Sequence, residues 1–311
     1  MIDPHESSNW VRIEEQSLRD GLQNESRLFS LEEKLEIVGL LAAAGIRYIQ
    51  IGSLVDPRRV PQMSDTEELA VRVQAGWPEL VCSALVLNAQ GLDRAMGCGL
   101  RHLSMSVSVD DEHSRRNTGS SAATALDDMA GLVKKAADSG IIVRAGVQCA
   151  FGLRNGDDVA TDSVVAAVRR LVAAGASVIN LADTAGLATP DRVKLLVASV
   201  GEAVPDIPIS LHLHDTRGFG LANLMAGYAS GIRQFDAAAG GLGGCPFIEG
   251  AAGNVATEDV VHLLAGIKVA TGIDLPALAR VVYRLEQLLG RPLPGRWCRT
   301  FRPVDAPEMV D

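Results

Sequence analysis

One unit recurs along this chain and dictates its architecture. An alanine-rich amphipathic helix ends at a glycine, and an apolar, β-branched run follows within a residue or two. "LEEKLEIVGLLAAAG" leads into "IRYIQIG", "AGLVKKAADSG" into "IIVRAGVQCA", and "VVAAVRRLVAAG" into "ASVINLAD". The glycine is the expected residue just past a helix end, because it takes a left-handed conformation at little cost. Counting the apolar runs gives eight strands, beginning near Val11, Arg47, Leu80, His102, Ile142, Ser177, Ile207 and Gln234, each followed by a helical pattern. Their near-continuous hydrophobicity suits parallel strands covered on both faces, and the alternation of strand and helix means an α/β fold. Eight such units over roughly 250 residues predict a (β/α)8 TIM barrel. We expect a single domain over 1–311, with the barrel at about 11–272. An additional C-terminal helix near Leu275 to Leu289 and a tail would complete residues 273–311. A doubly wound open sheet is the alternative. No GxGxxG follows the first strand, which weighs against a dinucleotide-binding version of it.

Composition narrows the partners. A formal net charge of −9 argues against nucleic acid, whose phosphates require a basic face. No run of about 18 apolar residues is present, so no membrane span is expected. The polar, acidic start "MIDPHESSNW" lacks the shape of a signal peptide, and a cytoplasmic location is the expectation. Five scattered cysteines without a CxxC point to reduced thiols.

In such a barrel the chemistry sits at the C-terminal strand ends and in the loops that follow. Those positions carry Arg19 and Asp20, Gln50 and Ser53, Arg144, Asn180, Asp183 and Thr184, then His212, His214 and Asp215, and finally Cys245 and Asn254. Residues two apart on a strand point the same way, so His212 and His214 of "HLHD" face the barrel mouth together. Two imidazoles there can hold one divalent cation, and Asp20 can add a carboxylate oxygen. The donor set suits Mg²⁺, Mn²⁺ or Zn²⁺, and spacing alone does not choose. Other readings compete. Arg19 and Asp20 read equally as a surface ion pair. Asp183–Thr184 and Asp215 read as helix-capping residues and Asn254 as a turn residue. The glycine-rich stretch from Gly240 to Gly253 is either a plain surface loop or a lid, with Gly243, Gly244 and Cys245 at its centre.

Together, "LRDGLQNE", "DPRRVPQM", "HLHDTRGFGLAN" and "GLGGCPFIEGAAGNVATEDV" resemble the 3-hydroxy-3-methylglutaryl-CoA lyase family of the DRE-TIM metallolyases, from about Val11 to Leu289. The resemblance implies a TIM barrel, usually dimeric, with a divalent metal (Mg²⁺ or Mn²⁺) held by Asp20, His212, His214 and Asn254. It implies retro-Claisen cleavage of a 3-hydroxyacyl-CoA to acetyl-CoA and a ketoacid such as acetoacetate. Arg19 would stabilise the thioester enolate, His212 or a group acting through it would take the hydroxyl proton, and Cys245 on the closing loop would protonate carbon. Asp183 and Arg144 match further family positions, and Arg19, Gln50, Ser53, Arg144 and Thr184 are the candidate substrate contacts. One departure stands out: where the family has a glutamate at the end of the second strand, this chain has Gln50 in "YIQIGSL". Gln50 is nearly isosteric but carries no charge. Asn180 stands where a small serine is common. The expected substrate is 3-hydroxy-3-methylglutaryl-CoA or a close analogue, such as citramalyl-CoA or a branched 3-hydroxyglutaryl-CoA. A Claisen-condensing synthase and a non-catalytic acyl-CoA-binding barrel are the alternatives.

Overall fold

The structure, a computed structural model, describes residues 9–154, 159–244 and 253–301. Eight parallel strands close into a barrel in chain order: β1 (Arg12–Glu15), β2 (Tyr48–Ser53), β3 (Val81–Leu85), β4 (His102–Ser108), β5 (Ile142–Gln148), β6 (Val178–Ala182), β7 (Ile209–His212) and β8 (Gln234–Ala237). Each begins within about two residues of its expected start. The helices are α1 (Leu31–Ala43), α2 (Thr66–Gly76), α3 (Ala89–Gly97), α4 (Asp111–Thr118), α5 (Ala122–Asp138), α6 (Thr161–Ala173), α7 (Pro190–Ala203), α8 (Gly220–Ala229), α9 (Thr257–Gly266) and α10 (Leu275–Leu289). The last of these is the expected additional helix. Among the described residues no helix is long and apolar enough to cross a membrane.

The apolar core lies between strands and helices. Ile49, Val143, Ile179 and Leu211 on the strands and Leu41, Val133, Val168 and Val200 on the helices are all inaccessible to solvent. Local signals fix the helix ends. Ser30 caps α1 by accepting from Glu33 N–H while the Glu33 side chain accepts from Ser30 N–H, the reciprocal capping box. Asp274 caps α10, which stops at Gly290 with φ +66°, a backbone conformation that side chains disfavour.

Two buried carboxylates hold the segment after β8, Glu15 from the end of β1 and Glu258 from α9. Glu15 accepts from Ser17 N–H (3.0 Å), Ala239 N–H (2.9 Å) and Thr257 Oγ1–H (2.6 Å). Glu258 accepts from Gly240 N–H at 3.0 Å. Burial pushes the Glu258 carboxyl up to about 8, and the neighbouring Asp259 and Glu15 add to the rise. A raised acid is protonated in the fold while the unfolded chain ionises near 4.5. The stability from this group is therefore complete below that value and is lost as pH rises through about 8. Glu258→Gln is expected to melt above the native protein at pH 9 and level with it at pH 5. Thermal melts across that range decide it, and a constant difference would exclude a titrating Glu258.

Candidate metal centre

Between β1 and α1 the chain makes one π-helical turn, Ser17–Gly21, which carries Arg19 and Asp20 to the rim of the barrel. Strand β7 ends at His212, and His214 follows two residues beyond. Asp20, His212 and His214 converge, with one donor atom from each lying within 4.8 Å of the others. His212 Nε2 is 3.1 Å from His214 Nε2, and Asp20 Oδ2 stands 3.6 Å from His214 Nε2 and 3.9 Å from His212 Nε2. Asn254 approaches from the far side of the glycine-rich segment and donates Nδ2–H to Asp20 Oδ2 at 2.8 Å. Its Oδ1 is buried without a hydrogen-bond partner among the described residues. Two facing imidazole nitrogens, an anionic oxygen and an unsatisfied amide oxygen suit a divalent cation. Burial alone would push the Asp20 carboxyl up. The Arg19 guanidinium and the hydrogen bond from His214 more than offset it and hold the group well below the usual carboxylate range.

The glycines here serve this packing. Gly243 has φ +112°, and a Cβ on it would lie 2.6 Å from Asn254 Nδ2. A Cβ on Gly253 would collide with the carbonyl oxygens of Gly241 and Gly243. Gly244 lines the cavity rim. Cys245 lies outside the described residues.

Arg19 is held by three groups. Its Nε–H donates to Gln50 Oε1, Nη1–H to Asp20 Oδ1, and Nη2–H to Gln16 Oε1 at 3.3 Å. Gln50 thus acts as a neutral acceptor for the guanidinium. Both residues face a cavity of about 620 Å³ that also exposes Asp20, His212, His214 and Thr184, a size suited to a small-molecule site.

Three expected site residues have other surroundings. Ser53 is fully buried and does not line this cavity; it lies three residues from Gln50, across a register shift in β2. Asp183 is also fully buried, and its Oδ1 accepts from Leu187 N–H (2.8 Å) and Ala188 N–H (3.1 Å). It shapes the loop ahead of α7, and burial pushes its carboxyl up. Arg144 lines the cavity, yet its terminal nitrogens are engaged by carboxylates, Nη1–H with Glu14 Oε2 at 2.5 Å and Nη2–H with Asp236 Oδ2. Outside that set, Asp215 accepts from Gly220 N–H at 2.8 Å and pairs with Arg296, the capping role that its position suggested.

Asp236 and Glu14 were not anticipated. Asp236 is 3.0 Å from His212 Nδ1 and stands beside His212 in the β7–β8 register. The signal was present: "RQFDAAA" places a lone acid inside an apolar strand, where burial is costly unless the charge is paired.

The HMGL-like family model matches residues 10–283. The (R)-citramalyl-CoA lyase of Chloroflexus aurantiacus is 39% identical, over 92% of this chain and 93% of its own length. The hydroxymethylglutaryl-CoA lyase of Pseudomonas mevalonii is 36% identical, over 90% and 93%. Among solved structures, the hydroxymethylglutaryl-CoA lyase from Pseudomonas aeruginosa has a TM-score of 0.88 at 34% identity, covering 94% of this chain and 97% of that one. The chain belongs to the HMGL-like family of carbon–carbon lyases.

Proposed function

We propose that this protein is a divalent-metal-dependent retro-Claisen lyase. Its substrate would be a 3-hydroxyacyl-CoA with a second carboxylate, foremost 3-hydroxy-3-methylglutaryl-CoA. The observation that carries the reading is the convergence of Asp20, His212 and His214 in the 620 Å³ cavity, with Arg19 beside them. In this reading Asp20, His212, His214 and Asn254 hold Mg²⁺ or Mn²⁺. The cation supplies Lewis acidity to the hydroxyl and carboxylate oxygens. The hydroxyl proton passes to a base acting through His212, whose Nδ1–H is held by Asp236. The C2–C3 bond then breaks, its electron pair passes into the thioester as an enolate, and C3 becomes the carbonyl of the ketoacid. Arg19 stabilises the enolate oxygen. Cys245 delivers a proton to C2, giving acetyl-CoA, with Gly243 and Gly244 allowing the loop to close. Thr184 and Gln50 line the substrate cavity, and Arg59, an exposed cation at its mouth, suits the anionic CoA ester. A homodimer and a cytoplasmic location belong to the same reading.

Citramalyl-CoA is the second reading, favoured by the 39% identical relative. It carries its carboxylate on the hydroxyl-bearing carbon, so cleavage yields pyruvate rather than acetoacetate. Acetyl-CoA release from each compound, with Mn²⁺ or Mg²⁺ and with EDTA, tests both. Release that EDTA abolishes is expected, and silence on both compounds with either metal would rule the lyase out. Gln50→Glu belongs in the same assay. If only the variant cleaves 3-hydroxy-3-methylglutaryl-CoA, Gln50 is where specificity has moved; equal turnover means that a neutral acceptor for Arg19 suffices.

A further inference from the structure

Arg144 has the placement of a strut rather than of a substrate clamp. It rises from β5, four strands from β1 in an eight-stranded barrel, and spans the interior. On the opposite wall Glu14 and Asp236 stand side by side in the β1–β8 register, and Asp236 stands beside His212 in the β7–β8 register. One guanidinium bridges the two acids, Nη1–H to Glu14 and Nη2–H to Asp236. Glu14 is held in turn by Ser83 Oγ–H at 2.7 Å. The Nε atom of Arg144 is buried and has no partner among the described residues. A substrate carboxylate seeking this arginine would have to displace one of the two acids and leave it buried and unpaired, at a steep cost.

His212 is where the strut ends. Asp236 Oδ2 meets its Nδ1 at 3.0 Å, and an ionised carboxylate can only accept, so the proton sits on Nδ1. Its other nitrogen, Nε2, is then a bare lone pair, directed at His214 Nε2 and Asp20.

We propose that Arg144 and Asp236 are positioning residues for His212: Arg144 fixes Asp236 across the barrel, and Asp236 locks the imidazole in the Nδ1–H tautomer with Nε2 aimed into the donor triad. The proposal rests on the metal-centre reading above, and it reassigns Arg144 from substrate contact to support.

The test uses the full-length protein with two readouts. The first is the His212 tautomer in metal-free protein, read by long-range ¹H–¹⁵N correlation of ¹⁵N-histidine-labelled samples, with His212→Gln identifying the signal. The second is Mn²⁺ affinity, read as free Mn²⁺ by electron paramagnetic resonance. Native protein should show the Nδ1–H form. Asp236→Asn can offer an N–H to Nδ1 and should move the proton to Nε2 while weakening Mn²⁺ binding about 10- to 100-fold, the loss typical when a ligand's supporting carboxylate is removed. Arg144→Lys keeps one charge but cannot bridge both acids. It should weaken Mn²⁺ binding and lower kcat, with KM little changed, and it serves if Asp236→Asn does not fold. An unchanged tautomer with Mn²⁺ affinity within about twofold of native in Asp236→Asn would overturn the proposal. So would a raised KM with intact Mn²⁺ binding in Arg144→Lys, which is the signature of a substrate contact. Native protein that binds no Mn²⁺ would instead remove the metal reading, and the tautomer measurement would still judge the pair.

Discussion

Exchanging Asp20 for asparagine is expected to cut acetyl-CoA release at least about 10³-fold, even with Mn²⁺ in large excess. The size follows from what the carboxylate does. Asp20 is the sole carboxylate of the triad, facing the two imidazoles from 3.6 and 3.9 Å. Its charge is secured by Arg19 against the effect of burial. Asparagine keeps the shape and an oxygen for the Asn254 Nδ2–H bond, so the fold is expected to survive. What disappears is the charge that draws a cation into a partly buried site. Release measured beside a Mn²⁺ titration separates two routes to that loss: weakened binding that excess Mn²⁺ recovers in part, and a filled site that no longer polarises substrate. Turnover within tenfold of native would place the chemistry away from Asp20.

The parts of this site that sequence disclosed were those governed by local rules. The glycines that follow five of the helices, together with the eight apolar runs, fixed the strands and their order, because both signals act within a few residues. The His212–His214 pairing followed from the two-residue period of a strand, and strand-end placement brought Asp20 and Arg19 into the same field. What stayed hidden depends on distance along the chain. Arg144 was legible as an important residue, yet its partners Glu14 and Asp236 lie 130 and 92 positions away; only barrel closure brings them together. Ser53 was grouped with Gln50 as a strand-end polar residue. A regular strand sends positions three apart to opposite faces, and the register shift between Gln50 and Gly52 does not return Ser53 to the cavity. Asp183 spends one oxygen on two backbone N–H groups of the loop ahead of α7, whose N-cap is Thr189, so its bonds were not legible from its place after β6. Gln16 drew no notice because its role exists only once the π-helical turn folds Arg19 back over it.

Arg19→Gln is expected to lower kcat by about 10²- to 10³-fold and to leave KM nearly unmoved. The split follows from when the charge appears. A thioester oxygen is neutral in bound substrate and becomes anionic only as the C2–C3 bond breaks, so a cation aimed at it stabilises the transition state and contributes little to binding. The structure supplies the required rigidity. Gln50, Asp20 and Gln16 each hold a different nitrogen of the guanidinium, so no reorganisation is needed when the charge develops. Two of those three partners are neutral amides, which orient the cation without cancelling it. Arg19→Lys is the informative companion. It restores the charge but has one ammonium in place of three separately held nitrogens, and it should recover only part of the loss. Steady-state kinetics on the preferred acyl-CoA decide the matter. A large rise in KM at constant kcat would make Arg19 a ground-state contact for the substrate, and the enolate would need another source of positive charge in the cavity.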